Sequence, residues 1–560
     1  MRWTAGQGQF TGVAFHRFHT GVAWITVLAC VLACVPAGLR FLRVAQREHY
    51  LGGSALLFAA RWWRTTPANV ALALVALATA VASLVWPLAG VATAAAVAVG
   101  PIGLTLKGRT SPLAWTRRLR TLAIVWAVIE AVIVAAGVAT GLAAPLAVVA
   151  ALALPVVVDV ACWLTSPLER RLSSHFVDEA EARLRLVDPL VVGITGSYGK
   201  TSTKGHLSHL LRPGRAVVAT PASFNNRPGL ARAINEHLAD GTEVFIAEMG
   251  TYGPGEIADL CRWCPPDIAV ITAIGPVHLE RFGTEDRIVE AKSEILQSAA
   301  DVVLQIDDRR LAAVADRAEA EGKRVVRCSA TDPSADVCVT RSDDGAAMSA
   351  HIHGELLVER VPVAAGIQAT NLACAIGVAL VAKVAPSDIA LRLVDLPQVD
   401  HRLQAARAAS GVVVLDDTYN SNPAGAAGAL VALASAAAAG GAWDGTGADS
   451  PDVETRGPEA RAEDRSARLV VVTPGMVELG TRQFSENRRF GEAIATVATD
   501  LLVVGRTNRR ALLAGVESAP GARTSVLQVS GRQEAVDWVR SHLRAGDTVL
   551  YENDLPDHYP

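Results

Sequence analysis

Charged residues are scarce in this sequence. Asp, Glu, Lys and Arg make up 19% of the 560 residues, and 51% are hydrophobic. A soluble globular chain usually carries about 25% charged residues. This composition excludes a chain that is disordered throughout and argues against a purely soluble enzyme. The length indicates three or four domains.

Acidic residues are almost absent from the first 166 residues, which hold 3 Asp and Glu against 12 Lys and Arg. The remaining 394 residues hold 52 acidic and 40 basic residues. The net charge is therefore +9 for residues 1–166 and −12 for residues 167–560. No basic stripe lies outside the apolar part, which argues against a nucleic-acid partner. The chain therefore consists of two chemically different parts.

A disulfide framework is also lacking, because the eight cysteines are scattered and three of them lie in apolar runs. This usage fits a reducing compartment. Cys261 and Cys264 form a CxxC pair, but zinc would need two further ligands at suitable spacing, and none stands nearby. We interpret both as ordinary buried thiols.

Long apolar runs dominate residues 1–166, where a membrane span needs about 20 such residues. The runs cover residues 21–39, 68–106, 121–141 and 143–164, and the second is long enough for two helices that turn at Trp86-Pro87. We predict an α-helical transmembrane domain of about five spans. A signal peptide is the alternative for the first run, and buried soluble helices are the alternative for the others.

The cations indicate the orientation of these spans. They cluster in residues 40–66, in residues 107–120 and just after the last span, whereas the turns at 86–90 and 141–145 carry none. Because basic loops stay in the cytoplasm, we predict a multi-pass plasma-membrane protein with its N-terminus outside and everything after residue 166 inside. Glu130 and Asp159 lie within predicted spans, where each is either functional or paired at a helix contact.

A phosphate-binding loop follows the membrane part. Residues 167–189 show the spacing of an amphipathic helical connector, Leu190–Thr195 reads as a buried strand, and a helix extends to Leu211. The loop between strand and helix is glycine-rich, so its N–H groups and the helix N-terminus can bind phosphate. The predicted ATP-binding residues are Gly196, Ser197, Gly199, Lys200, Thr201 and Ser202. Lys200 would reach the β- and γ-phosphates and Thr201 a Mg²⁺ ion, although Ile194 replaces the first glycine of the common motif.

Two further candidates follow predicted strands at 243–247 and 267–273. Glu248 and His278 stand after these strands, and ligands of open α/β sheets bind at the carboxyl ends of strands. A carboxylate suits Mg²⁺. A single histidine is by itself more often structural than a ligand.

These motifs occur in the order typical of one family. They are Gly196-Ser-Tyr-Gly-Lys-Thr-Ser, Asn225-Asn226, Glu248-Met-Gly, Gly275-Pro-Val-His278, Ala291-Lys292-Ser-Glu, Arg402-Leu, Asp416-Asp417-Thr-Tyr419-Asn420 and Gly475-Met-Val-Glu478-Leu-Gly480. Over residues 190–560 the chain resembles the Mur ligases, and within them the UDP-N-acetylmuramoyl-tripeptide D-alanyl-D-alanine ligase branch. The resemblance implies a P-loop central domain over 190–397 and a Rossmann-like C-terminal domain over 398–560.

The resemblance also implies the chemistry. Such enzymes are ADP-forming: a substrate carboxylate attacks the γ-phosphate of ATP, and an amine then displaces phosphate from the acyl phosphate. Thr201 and Glu248 would hold one Mg²⁺ ion and His278 a second, supported by a carbamylated Lys292. Lys200, Lys292 and His278 would be catalytic. The remaining implied contacts are Arg402, Asp417, Asn371, Tyr419 and Asn420 for the nucleotide, and Asn225 and Asn226 for the substrate.

The chain departs from the family where substrates are chosen. Membrane helices stand in place of the domain that binds the UDP-sugar, the Gly-Asp-Met motif becomes Pro474-Gly475-Met476, and Tyr551-Glu-Asn-Asp replaces the Lys-Gly-Ser-like ending. Residues 440–467 are aperiodic and rich in Gly, Ala, Asp and Glu, so we predict a disordered insertion there.

The resulting hypothesis is a membrane-anchored amide ligase that acts on a cell-wall or other envelope precursor. Its partners would be ATP, a carboxylate acceptor that could be lipid-linked, an amino acid or other amine, and the lipid bilayer. Two alternatives stay open: an ATP-driven transport, flipping or nucleotide-sensing protein with a ligase-like body, and a ligase of the folate or polymer type.

Overall fold

The computed structural model describes residues 7–106, 113–221, 224–342, 345–363, 366–397, 403–418, 422–438, 467–555 and 558–560. The chain forms two compact units. Unit 1 comprises Met1–Ser173 and Leu555–Pro560, and unit 2 comprises Ser174–Asp554.

Unit 1 is built from helices. They are α1 (Gln7–Arg47), α2 (Ser54–Trp63), α3 (Pro67–Ala82), α4 (Ala89–Val99), α5 (Arg117–Thr140) and α6 (Ala143–Val187), the last of which continues into unit 2. The predicted turn at Trp86-Pro87 does separate α3 from α4. Residues 167–187 are helical as predicted, but they continue α6, one helix of 45 residues that contains Pro155 and Pro167. Their role as an amphipathic connector stays a prediction.

The helices differ in their ability to cross a membrane. Among the described residues, three are long and apolar enough, namely α1, α5 and α6, and the bent pair α2 and α3 could form a fourth span. α3 and α4 have 16 and 11 residues, fewer than the two full spans expected from residues 68–106. α4 ends at Val99, just before Gly100-Pro101, and both glycine and proline disfavour a helix interior. The count of five spans therefore stays a prediction.

Two charged side chains of unit 1, buried Arg40 and half-buried Asp159, pair with helix ends. The Arg40 guanidinium donates to the last carbonyls of α4 at 2.7–3.0 Å. The Asp159 carboxylate accepts the N–H groups of Ala55 and Leu56, at 3.0 and 2.9 Å, where α2 begins. Both signs complement the helix dipole, so the structure favours the structural interpretation of Asp159. One buried oxygen of Glu130 has no hydrogen-bond partner among the described residues.

The last described residues of the chain pack into unit 1. His558 Nε2 lies 2.8 Å from a carboxylate oxygen of Glu48, and its carbonyl accepts the indole N–H of Trp62 at 2.7 Å. The rings of His558 and Tyr559 both make edge contacts with Phe58. The side chains of Glu48 and His558 are buried. Unit 1 is thus assembled from two stretches of chain that are far apart in sequence.

The first part of unit 2 is a nine-stranded sheet. Its strands are β1 (Leu190–Thr195), β2 (Val217–Ala219), β3 (Val244–Glu248), β4 (Ile268–Ile271), β5 (Asp301–Gln305), β6 (Arg324–Ser329), β7 (Val337–Arg341), β8 (Ala347–Ile352) and β9 (Glu355–Pro362). The spatial order is β2-β3-β1-β4-β5-β6-β7-β8-β9, parallel up to β7 and antiparallel from there. The inner strands read as continuous apolar runs because both sheet faces are buried.

Helices connect these strands. They are α7 (Lys200–Leu211), α8 (Arg227–His237), α9 (Glu256–Trp263), α10 (Leu279–Phe282), α11 (Glu285–Ser293) with a 3-10 turn at Glu294–Gln297, α12 (Arg309–Ala320), α13 (Ala369–Val381) and α14 (Pro386–Leu393). The predicted strand over 190–195 and the predicted helix ending at Leu211 are confirmed. β4 is shorter than predicted, because the chain leaves the sheet after Ile271.

The second part of unit 2 is a six-stranded sheet. Its strands are β10 (Gln404–Arg407), β11 (Val413–Asp417), β12 (Leu469–Thr473), β13 (Asp500–Val504), β14 (Ser525–Val529) and β15 (Thr548–Glu552), in the order β10-β11-β15-β12-β13-β14. Only β10 pairs antiparallel among these strands. The helices are α15 (Pro423–Ala438), α16 (Gln483–Val497), α17 (Arg509–Ser518) and α18 (Arg532–His542), with a 3-10 turn at Gly480–Arg482. The predicted insertion lies outside the described residues, apart from residue 467.

Candidate active site

The glycine loop between β1 and α7 has the geometry of a phosphate site. Gly199 adopts φ +80°, and a Cβ atom there would come within 2.0 Å of the Asn371 side-chain oxygen. α7 begins at Lys200, whose Nζ donates to the Gly196 carbonyl at 2.8 Å. Ser202 lies half-buried in the first turn of α7. The structure thus places buried Asn371, expected at the adenine, directly against the loop.

Glu248 is the centre of a buried polar cluster beside this loop. It ends β3 next to Ile194 of β1, and only 1% of its surface is exposed. One carboxylate oxygen accepts Thr201 Oγ1 and Lys204 Nζ, both at 2.9 Å, and the other accepts Asn225 Nδ2 at 3.1 Å. Burial alone would raise its pKa, but the charges of Lys204 and Lys200 and these hydrogen bonds hold the pKa below its ordinary value. Glu248 is therefore a fixed anion at the phosphate loop.

The two neighbouring asparagines have different surroundings. Asn225 contacts Glu248, and its carbonyl accepts the Gly250 N–H at 2.7 Å. Asn226 is the N-cap of α8, where its side-chain oxygen accepts the Gly229 N–H at 3.0 Å. This cap explains Asn226 without a ligand. Contact of either residue with a substrate stays a prediction.

One cleft brings many of the predicted residues together. We call it the phosphate-loop cleft, and its lining includes Gly196, Ser197, Lys200, Asn225, His278 and Lys292. Lys292 is almost fully buried in α11. Burial, together with the nearby charge of Lys200, lowers its pKa well below the ordinary value. The Lys292 amine is therefore more readily neutral, and nucleophilic, than a surface lysine.

His278 also lines this cleft, directly before α10. Its backbone is left-handed, with φ +55°. Its Nδ1 is hydrogen-bonded to a carboxylate oxygen of Glu478, and its ring packs edge-on against Tyr252 at 4.8 Å. Glu478 is also left-handed, with φ +63°. Such strain in residues other than glycine concentrates at functional sites.

The remaining nucleotide residues belong to the second sheet. Asp417 ends β11 and is buried, and its carboxylate accepts the Leu403 N–H at 3.2 Å. It lies in register with Glu552 at the end of β15. Arg402, Tyr419 and Asn420 lie outside the described residues, so their predicted nucleotide contacts stay predictions.

Magnesium fits the donors present. Among the described residues, no group of three or more His, Cys, Asp or Glu side chains forms a metal cluster. Mg²⁺, however, is usually held by one or two carboxylates together with substrate phosphates rather than by a protein cage. The hydroxyl of Thr201 and the carboxylate of Glu248, which share a hydrogen bond at the phosphate loop, suit that mode. The CxxC thiols are buried, and burial raises the pKa of Cys261 to about 11.

The sequence did not predict a role in the site for three residues. Lys204 follows Lys200 by four positions, which places both on one face of α7, and this spacing could have identified it. Glu478 was visible within a motif, but its partner lies 200 positions away in the sequence. Tyr252 carried no signal in the sequence.

Comparisons with known proteins agree with this geometry. Residues 194–379 match the Mur ligase middle domain. The chain is 32% identical over 381 residues to the UDP-N-acetylmuramoyl-tripeptide–D-alanyl-D-alanine ligase of Mycobacterium tuberculosis, covering 64% of this chain and 69% of that protein. The protein of the same name from Bacillus subtilis is 31% identical over 246 residues, which cover 44% of this chain and 52% of that protein.

Solved structures show the same fold. The MurF ligase of Thermotoga maritima in complex with ADP matches with a TM-score of 0.53 and 25% identity, over 68% of this chain and 80% of that one. MurF of Acinetobacter baumannii matches with a TM-score of 0.54 and 22% identity, over 68% of this chain and 77% of that one.

Proposed function

This chain belongs to the Mur ligase family, in its D-alanyl-D-alanine ligase-like branch, and we propose that it forms an amide bond on a peptidoglycan or other envelope precursor at the membrane. It is an ADP-forming ligase of a carboxylate and an amine. The observation that carries the proposal is the phosphate-loop cleft, where Lys200, His278 and Lys292 line one space next to the buried anion Glu248.

This cleft suits the first chemical step. A carboxylate and a triphosphate repel each other, so their reaction needs fixed positive charge and exact positioning. Lys200 would leave the Gly196 carbonyl for the β- and γ-phosphates. Thr201 and Glu248 would hold Mg²⁺, and His278 a second ion. Bound Mg²⁺ neutralises charge on the transferring phosphoryl group. The carboxylate oxygen then bonds to the γ-phosphorus as the bond to ADP breaks.

The second step consumes the acyl phosphate. A neutral amine bonds to the acyl carbon, phosphate leaves with the electrons of the broken C–O bond, and the amine loses a proton. A closed cleft protects the acyl phosphate from water. The motifs in which this chain departs from the family are those that select the amine and the acceptor.

Lys292 is proposed to act as a carbamate. Its neutral amine can bond to the carbon of CO₂ and release a proton, which replaces a neutral buried amine by an anion. Two observations support this step: the amine is buried, and its pKa is lowered well below the ordinary value. The carbamate would then help His278 to hold the second metal ion.

Membrane anchoring is the second part of the proposal. It is supported by the three long apolar helices and by large apolar side chains on the outside of unit 1, such as Val85, Trp86 and Trp163, each more than 70% exposed. Tryptophan is enriched where proteins meet the membrane–water interface. We propose a multi-pass protein of the plasma membrane, with about five spans and the ligase in the cytoplasm.

Helices in place of a UDP-sugar domain favour a lipid-linked acceptor. The test uses purified full chain in lipid nanodiscs, given ATP, candidate amines, and either lipid-linked or UDP-linked precursors. We expect phosphate release and an amide product with the lipid-linked acceptor, and no turnover by Lys200→Ala. Turnover only with UDP-linked acceptors would refute the lipid part. An undiminished rate in Lys200→Ala would refute the assigned role of the loop.

The transport alternative has one remaining observation in its favour. Asp159 is engaged in capping α2, so only Glu130, with its buried unpartnered oxygen, suggests a translocation path. Full ligation by Glu130→Ala, together with unchanged lipid distribution in vesicles, would count against transport. A folate or polymer substrate is tested by including such acceptors in the same assay.

A further inference from the structure

One contact joins the two sheets of unit 2 at the phosphate-loop cleft. His278 belongs to the segment after β4 of the first sheet, and Glu478 to the segment after β12 of the second. The imidazole Nδ1 meets one carboxylate oxygen of Glu478. The other oxygen lies 3.7 Å from the Arg281 guanidinium. Both oxygens of Glu478 thus face side chains of the first sheet's segment.

The surrounding backbone fixes this contact. The Glu478 carbonyl accepts the Glu280 N–H at 3.4 Å. Gly480 comes so close that a Cβ atom there would lie 3.2 Å from the backbone of Leu279. The Arg482 guanidinium lies 2.6 Å from a Glu285 carboxylate oxygen. The two segments therefore touch through backbone as well as side chains.

The contact also determines the chemical form of the imidazole. A carboxylate only accepts hydrogen bonds, so Nδ1 must carry the proton. In the neutral ring, Nε2 then keeps its lone pair, and this is the form that binds a cation. Histidines that bind metals typically donate their other N–H to a carboxylate, which fixes the tautomer and the ring orientation. His278 lines the cleft in this arrangement.

We propose that Glu478 is a positioning residue, which holds His278 with Nε2 available for a divalent cation and couples that site to docking of the 478–480 segment. The inference rests on the proposed function only in assigning the cation to His278. It predicts that the cation site assembles when the two segments meet.

The experiment measures cation binding rather than turnover. Full-length protein in nanodiscs is loaded with an ATP analogue that cannot transfer phosphate, and Mn²⁺ binding is followed by electron paramagnetic resonance. We expect Glu478→Ala to weaken one Mn²⁺ site by roughly 10- to 100-fold, with analogue affinity unchanged within about 2-fold. The amide oxygen of Glu478→Gln can still accept a hydrogen bond from Nδ1–H, so this variant should retain most of the affinity. Arg482→Gln is the matched control, because it removes the contact with Glu285 between the same two segments and does not touch His278.

A second measurement reads the tautomer directly. In ¹⁵N-histidine spectra, assigned by loss of the His278 signal in His278→Asn, we expect a protonated Nδ1 in the wild type and a shift towards protonated Nε2 in Glu478→Ala. Unchanged Mn²⁺ affinity and tautomer in Glu478→Ala would overturn the proposal, as would the same shift of the tautomer in Arg482→Gln. A wild type that binds Mn²⁺ as expected but forms no amide bond would refute the proposed function alone.

Discussion

Glu552 should make the second sheet of unit 2 less stable as pH rises. Its side chain ends β15, is fully buried, and accepts the Thr473 hydroxyl at 2.5 Å. Its other oxygen is buried without a hydrogen-bond partner in the described part of the chain. Burial, reinforced by the neighbouring charge of Asp417, raises the pKa of Glu552 from 4.5 to about 8. Glu552 is therefore a neutral acid at pH 7.

The sign and the magnitude follow from that pKa. The folded state binds the proton of Glu552 more tightly than the unfolded state does. The protonated side chain therefore contributes its full stabilisation below pH 4.5, and this stabilisation is lost as pH rises to about 8. At about 1.4 kcal/mol for each pKa unit, the maximum loss is about 5 kcal/mol. Glu552→Gln cannot ionise. We therefore expect the free energy of local opening of the second sheet in the wild type, relative to Glu552→Gln, to fall by up to about 5 kcal/mol between pH 5 and pH 8.5.

The assay is hydrogen–deuterium exchange of peptides covering β15 and β11, corrected for the intrinsic pH dependence of exchange. It is applied to full-length wild type and to Glu552→Gln. Glu534→Gln is the matched control, because Glu534 is exposed and hydrogen-bonds Ser530, so it should not change the slope. Parallel pH curves for the wild type and Glu552→Gln would refute the reasoning.

Three further predictions concern the loop, the lysine and the membrane unit. Gly199 has φ +80°, and Gly199→Ala would place a Cβ atom within 2.0 Å of the Asn371 side-chain oxygen. We therefore expect ATP affinity, measured with a fluorescent analogue, to fall at least tenfold. Equal affinity would contradict the loop geometry. Lys292→Ala should abolish ligation and be rescued by short carboxylates, and wild-type activity should depend on bicarbonate; absence of both effects would refute carbamylation. Asp159→Ala leaves two N–H groups at the start of α2 without their acceptor, and loss of such a cap should lower the free energy of unfolding by roughly 1 kcal/mol. Ligation per folded molecule should persist, and loss of ligation at full stability would reopen the functional interpretation.

The phosphate loop could be predicted because its signals are local. An apolar strand, a glycine loop and a helix follow one another within 22 residues, and each is determined by its own residues. The ends of β1 and β3 are neighbours in a parallel sheet, so the prediction that Glu248 lies at the loop also followed from a general rule. The resemblance to a family supplied the roles.

Contacts over long distances in the chain could not be predicted in this way. Nothing local to Glu478 indicates that its carboxylate meets His278, because that contact depends on how the two sheets pack. The capping of α2 by Asp159 likewise depends on the packing of α6 beside α2. α6 also contains Pro155 and Pro167, residues whose own propensity disfavours a helix interior, so context overrides a single-residue propensity there.

The position of His558 within unit 1 has a consequence for biosynthesis. Glu48 and Phe58 leave the ribosome some 500 residues before His558, and domains generally fold during synthesis from the N-terminus onward. The helices of unit 1 are thus synthesised, and can begin to pack, while this site is still empty. They would reach their final packing only after the whole ligase has been translated. A chain that ends within the ligase would leave unit 1 without His558 and Tyr559, and Glu48 and Phe58 would lack the contacts that complete its packing.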